Sequence, residues 1–173
     1  MIGPLPQAGQ RCPRWDAAMA GFLADEAAAL DDGRHQDWLD HLHEDFHYEV
    51  PVPVVREDPA LPRHSGTAVL FEATKGMFRL KLGRAGMRHA WADRPGPRTR
   101  RFVSAVRAFE AGSGAVRADS HLLVAIDGGR DRALITAGRE DVLVPSGASW
   151  SLLRRRVLLD VEVPTHLELS IVF

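Results

Sequence analysis

Apolar residues first recur at helical spacing. Trp15, Met19, Phe22, Leu23, Glu26, Ala27 and Leu30 fall three and four positions apart, which lines one face of an α-helix. The stretch AAMAGFLADEAAAL consists largely of good helix formers. Asp31-Asp32-Gly33 predicts its end, with Gly33 as a left-handed cap. A short second helix is expected over about 35–43, with Trp38 and Leu42 on one face. The period then changes from 3.6 to 2. Phe46, Tyr48, Val50, Val52 and Val54 alternate with polar or proline positions, the mark of a strand. Pro51 and Pro53 lack amide donors, so this strand belongs at a sheet edge or contains a bulge. Residues 56–66 read as a loop. Residues 67–82 read as a helix burying Val69, Leu70, Ala73, Met77 and Leu80.

From about residue 87 the chain reads as successive strands joined by the glycine turns AGSG and DGGRD and by PSGAS. Val116, Ala118, Ser120, Leu122, Val124 and Ile126 share one strand face, and LELSIVF forms a final strand that ends on a packed residue. Helices followed by an antiparallel meander define an α+β fold, with the N-terminal helices covering one face of a curved sheet. Residues 1–14, with three prolines and two glycines, read as a loose arm, and 15–173 as one domain.

Composition narrows the function classes. At 173 residues, 45% apolar and 26% charged, the chain is an ordinary globular domain. A net charge of −1 gives no global electrostatic case for nucleic acid or an anionic membrane. The single cysteine, Cys12, excludes an internal disulfide and any cysteine-based zinc or iron–sulfur site built from this chain alone. No stretch has the apolar length of a signal peptide or a membrane span, so a cytoplasmic location is expected.

One string invites a metal reading. His43-Glu44-Asp45-Phe46-His47 matches H-E-x-x-H, in which two histidines one helical turn apart bind zinc and the glutamate activates water. That chemistry needs a continuous helix, and Pro51 with the alternation from Phe46 denies it one. The expected arrangement is a helix through His43, a turn at Glu44-Asp45 and then the strand, with no metal site. The arginines of RPGPRTRR (94–101) sit in a turn without an aromatic stacking array, so they do not describe a nucleic-acid site. In WSLLRRRV, alternation forces at least one of Arg154, Arg155 and Arg156 towards the core, where Asp141 or Asp160 is the expected partner. A pocket acid–base pair drawn from Asp45, His47, Tyr48, Asp119 and His121 is the alternative catalytic reading. Gly128-Gly129 and GSG precede no helix and are turns rather than phosphate loops.

Several motifs together resemble a known family. FLADEAAALDDGRHQDWLDHLHEDFHYEVPVP, AWADRPGPRTRRFVSAV, AGREDVLV, RRRVLLD and LELSIVF occur in the order and spacing of the small (beta) subunit of Rieske-type aromatic-ring-hydroxylating dioxygenases. The similarity runs from about residue 20 to residue 173. It implies a cone-shaped α+β fold like that of nuclear transport factor 2 and polyketide-cyclase-like proteins, with a strongly curved, mostly antiparallel mixed sheet. It also implies a noncatalytic chain without cofactor, supporting a large (alpha) subunit that holds the Rieske cluster and a mononuclear iron in a three-plus-three hexamer. The interface and scaffold residues it implies are Trp38, Asp45, Tyr48, Trp91, Arg98, Arg101, Arg139, Asp141, Arg156 and Asp160. Two positions depart from the family pattern: Ala105 stands where an asparagine is usual, and Glu140 follows Arg139 where the family has a second arginine. The alternatives are a stand-alone cone-fold dehydratase, isomerase or cyclase using a pocket His/Asp pair, or a small-molecule-binding cone, either able to self-associate as a dimer or trimer.

Overall fold

A computed structural model describes residues 8–58, 60–89, 98–128, 132–161 and 172–173. Two helices, α1 (Asp16–Asp31) and α2 (His35–Asp40), precede strands β1 (Leu42–Pro53) and β2 (His64–Thr74). Helix α3 (Lys75–His89) follows, then β3 (Arg98–Glu110), β4 (Val116–Asp127), β5 (Arg132–Ser146) and β6 (Ser149–Leu159). The six strands form one sheet in the order β2-β1-β6-β5-β4-β3. Every neighbouring pair is antiparallel except β1–β6, which is parallel. Among the described residues no helix is long and apolar enough to cross a membrane.

The alternation expected of β4 is fully realised: Val116, Ala118, Ser120, Leu122, Val124 and Ile126 are all buried. They share the covered face with Phe46, Tyr48 and Val50 of β1, Ile135 and Ala137 of β5, and Leu152, Val157 and Leu159 of β6. Helix α1 closes this face with Met19, Phe22, Leu23 and Leu30, and Trp38 of α2 stands edge-on to Phe78 of α3 at 5.1 Å. Gly33 adopts φ 69°, the left-handed cap anticipated after α1. Phe173 and Val172 are buried, as expected of a packed chain end; the rest of LELSIVF lies outside the described residues.

Three boundaries differ from the sequence reading. Helix α2 stops at Asp40, and β1 starts at Leu42, which pairs with Leu152. His43 is therefore on the strand, not on a helix end. The segment expected as a helix over 67–82 is β2 as far as Thr74 and helix only from Lys75. Its supposed buried stripe fails accordingly, since Val69, Met77 and Leu80 are exposed and only Ala73 is deeply buried. Residues 9–12, read from composition as part of a loose arm, run beside β3. Gly9 N–H donates to the Glu110 carbonyl at 3.0 Å, and Cys12 N–H to that of Ala108 at 2.9 Å.

The prolines of β1 act by bulging rather than by marking an edge. The strand is interior, between β2 and β6, and its register against β2 shifts between Val50 and Pro51 and again between Pro51 and Pro53. A missing amide is tolerated where the ladder is already broken. Strand β3 carries a second irregularity between Ser104 and Arg107, and within it Ala105 adopts φ 52°. A Cβ in the left-handed region crowds the following carbonyl at about 1–2 kcal/mol, a cost that asparagine tolerates better. Ala105 is exposed, so Ala105→Asn should stabilise the fold by about 0.5–1 kcal/mol and Ala105→Val should destabilise it. Urea denaturation measures both, and a Val variant as stable as the parent would remove strain from the account.

Candidate functional site

Beneath the helices the sheet buries charge. In β5 and β6, Asp141 pairs in register with Arg155, and Arg155 in turn lies across from Tyr48 of β1. The Arg155 guanidinium donates through Nε and Nη2 to the Asp141 carboxylate at 2.7 and 3.0 Å. Its Nη1 and Nη2 also reach the two oxygens of Glu26 on α1, at 2.6 and 2.7 Å. Trp38 Nε1–H adds a bond to the same Glu26 oxygen at 2.9 Å. Arg139 lies 3.7 Å from Glu26 and 3.9 Å from Asp141, and its Nε–H points to Ser120 Oγ at 3.4 Å. All four charged side chains are at most 2% exposed. Two cations face two anions, so the cluster is neutral as a whole, the condition under which buried ions are tolerable.

Each member's acidity shows how these forces balance. Burial alone would raise the Glu26 carboxyl, but the charges of Arg155 and Arg139 and the bonds from Arg155 and Trp38 hold it down at about 2. Burial likewise opposes the charge on Arg155, but its two carboxylates outweigh that, so its pKa is raised. Arg139 is the weak member. Burial and the neighbouring Arg155 lower it to about 10, and its Nη2 is buried without a hydrogen-bond partner among the described residues. Burial pushes the Tyr48 hydroxyl up to about 12, so it stays protonated and accepts the Phe173 N–H at 3.3 Å.

A second clamp lies alongside. Arg101 of β3 donates to Asp31, at the end of α1, at 2.5 Å, and through Nη2 to the Val172 carbonyl at 2.7 Å. The Arg101 backbone N–H donates to the other Asp31 oxygen at 2.8 Å. Both side chains are buried.

Five of the residues marked from sequence thus gather on the covered face: Trp38, Tyr48, Arg101, Arg139 and Asp141. The others do not. Arg156 faces the opposite side, 3.1 Å from Glu49. Asp160, one of two expected partners for a core arginine, is exposed; Asp141, the other, pairs with Arg155, together with Glu26, which was not expected there. Asp45 and Arg98 are exposed, and Trp91 lies outside the described residues. Sequence reasoning did not mark Glu26, Asp31 or Arg155 as site residues. Glu26 had a readable signal, an acid placed within the apolar stripe of α1.

The alternative acid–base set is not assembled. Tyr48 faces the core, whereas His47, its neighbour in β1, points to the other face and pairs with Glu72 of β2 at 2.5 Å. His121 is exposed on β4, with β6 and β5 between it and β1. Asp119 is bound to Arg117 at 2.7 Å. The H-E-x-x-H string is extended strand, and His43 Nδ1 accepts the backbone N–H of Asp45 at 3.1 Å.

Comparison with known proteins decides among the readings. A family model described as "Ring hydroxylating beta subunit" matches residues 25–165. The chain belongs to this family. Among solved structures, a chain of naphthalene 1,2-dioxygenase, determined with indole bound in the active site, superposes on this beta subunit with a TM-score of 0.78. It is 18% identical and covers 92% of this chain and 86% of its own. The beta subunit of benzoate 1,2-dioxygenase from Burkholderia mallei superposes at 0.69 with 17% identity, over 83% of this chain and 89% of its own. ActVI-ORFA from Streptomyces coelicolor shares the fold at 0.59 with 19% identity, over 83% and 96%. Family membership implies association with an alpha subunit, where the cofactors reside.

The beta subunit's own residues do not fit those cofactors. A Rieske centre takes two cysteines and two histidines. Here the one cysteine, Cys12, is buried with Sγ 3.6 Å from a Glu110 oxygen. Among the described residues no group of three His, Cys, Asp or Glu side chains is placed to hold a metal ion.

The cluster has measurable consequences. Glu26→Gln removes one anion from a closed set and should cost about 3–5 kcal/mol in urea denaturation; a loss below about 1 kcal/mol would show that the pairs are not coupled. Acid reports the same group. Because the folded Glu26 carboxyl lies at about 2, below its ordinary 4.5, its stabilisation is complete above pH 4.5 and is lost as pH falls towards 2. Stability should decline across that window, and the decline should be shallower in Glu26→Gln. Parallel profiles would contradict the assignment.

Proposed function

We propose that this chain is the noncatalytic small subunit of a multicomponent aromatic-ring-hydroxylating dioxygenase, holding an iron-containing large subunit in position for aromatic catabolism. The observation that carries the reading is the occupied interior. Where a cone-fold enzyme would keep an acid and a base free for substrate, Glu26, Asp141, Arg139 and Arg155 are turned on one another and shielded from water. An ion bound by an opposite ion at hydrogen-bond distance is held in one protonation state near neutral pH, which unsuits it for proton transfer. What such a cluster does well is fix α1 and α2 against β1, β5 and β6, leaving a rigid body to present surface to a partner.

In this reading the aromatic substrate, dioxygen and the reduced electron carrier are handled by the large subunit, in a cytoplasmic three-plus-three assembly. Trp38, Tyr48, Arg101, Arg139 and Asp141 are scaffold residues. Arg98, Asp45, Arg156 and Asp160, which lie on or near the surface, are candidates for subunit contacts.

Co-expression with the large subunit from the same source tests the proposal. The two chains should co-purify in equal amounts, with iron and the cluster retained by the large one. A small chain that never binds the large subunit, yet dehydrates or isomerises a small aromatic compound alone, would overturn it.

A further inference from the structure

We propose that Val172 and Phe173 form a displaceable strap over a binding site on the covered face, and that the vacated site takes a small compound carrying an aromatic ring and a carbonyl oxygen. The inference goes beyond the small-subunit reading and does not depend on it.

Phe173 is 1% and Val172 7% exposed, and both join the apolar cluster that holds Phe46, Phe78 and Leu122. A segment buried this deeply is ordinarily tied down by a strand ladder or a helix. Neither residue lies in a helix or strand, and neither makes a backbone–backbone hydrogen bond among the described residues. Side chains from three strands hold the pair instead. The Phe173 N–H donates to the Tyr48 hydroxyl of β1 at 3.3 Å, and its carbonyl accepts from Arg155 Nη1 of β6 at 3.1 Å. The Val172 carbonyl accepts from Arg101 of β3, through Nε at 3.2 Å and Nη2 at 2.7 Å. Apolar surroundings for a ring, with a few converging polar side chains that fix its orientation, are the anatomy of a small-molecule site.

The holding groups do not need the strap. Arg155 keeps Asp141 and Glu26 at 2.6–3.0 Å whether or not Phe173 is present, and Arg101 keeps Asp31 at 2.5 Å. Release of the strap therefore leaves no buried ion without its counter-ion, which is the costly outcome. Lifting α1 would do the opposite, because Glu26 would be drawn away from Arg155. On the covered face the strap is thus the part that opens without breaking an ion pair.

The strap's own groups define the ligand class. A phenyl ring fills the apolar part, carbonyl oxygens take the arginine donors, and an N–H takes the Tyr48 hydroxyl. A small aromatic amide reproduces all three. It is bound and not transformed, because the acids and arginines beside it are already paired with one another.

Calorimetric titration with N-acetyl-phenylalaninamide tests the site, on the full chain and on a variant lacking Val172 and Phe173. The shortened chain should bind one equivalent, and N-acetyl-alaninamide, which lacks the ring, should bind at least about tenfold more weakly. The full chain should also bind the phenyl probe at least about tenfold more weakly, since only its open fraction is competent. Tyr48→Phe in the shortened chain should weaken binding about fivefold. Hydrogen exchange tests the strap: the Phe173 amide of the full chain should exchange at least about tenfold faster than amides at the centre of β6. If circular dichroism shows the shortened chain unfolded, Phe173→Ala keeps the backbone contacts and empties the ring position. That variant should bind toluene, with a raised thermal midpoint, where the parent does not. A folded shortened chain that ignores the phenyl probe, a full chain that binds it as tightly, or a Phe173→Ala variant that ignores toluene would overturn the site. Protection of the Phe173 amide equal to that of β6 would overturn the strap.

Discussion

Everything on the covered face depends on Arg155. It lies at the middle of the sheet, on β6, and one guanidinium satisfies Asp141 of β5 and Glu26 of α1 together. Removing such a cation from water costs several kcal/mol, and that cost is offset only when both carboxylates arrive in place. Glu26 in turn is held by Trp38 of α2, and Arg155 Nη1 also reaches the Phe173 carbonyl. One neutral cluster thereby dictates how two helices, the central strands and the last residues must meet. Its contribution is better described as selecting one arrangement than as adding net stability, because apolar residues of equal volume would pack there without the desolvation cost.

The same constraint shapes the rest of the interior. Glu26, Asp141, Arg139 and Arg155 face one another in the covered interior, and Tyr48, with its hydroxyl pushed up to about 12, remains a neutral hydrogen-bond partner. The two sheet edges are unlike. Strand β3 is flanked by residues 9–12 and clamped to α1 through Arg101 and Asp31, whereas β2 exposes the uncharged run Gly66–Val69. A chain built this way is a rigid body with distinct patches, suited to assembly.

Much of this was legible in the residues. The helical spacing of Met19, Phe22 and Leu23, the period-2 face of β4 and the glycine turns specified the α+β meander, because each buries one face against one partner. The pressure on Arg154–Arg156 to send an arginine inward, and Asp141 as its partner, also followed from alternation. The segment 67–82 failed for a physical reason. An edge strand exposed on both faces, as Thr67, Ala68 and Val69 are, has no alternation to read, and its apolar positions fall by chance at helical intervals with those of α3. The site was harder. That Glu26 meets Arg155 depends on a contact across 129 positions, which no local period reports. The placement of His47 against Glu72 likewise required knowing that β2 is a strand.

The claim that the chain supports chemistry without performing it is tested most directly in the assembled dioxygenase. The measurement is kcat for ring oxygenation by the large subunit reconstituted with a small subunit carrying His47→Ala, Tyr48→Phe and His121→Ala. With assembly and iron content equal to the parent's, kcat should stay within about twofold. A loss of about a hundredfold, the scale of a removed general acid or base, would place catalytic groups in this chain and contradict the account.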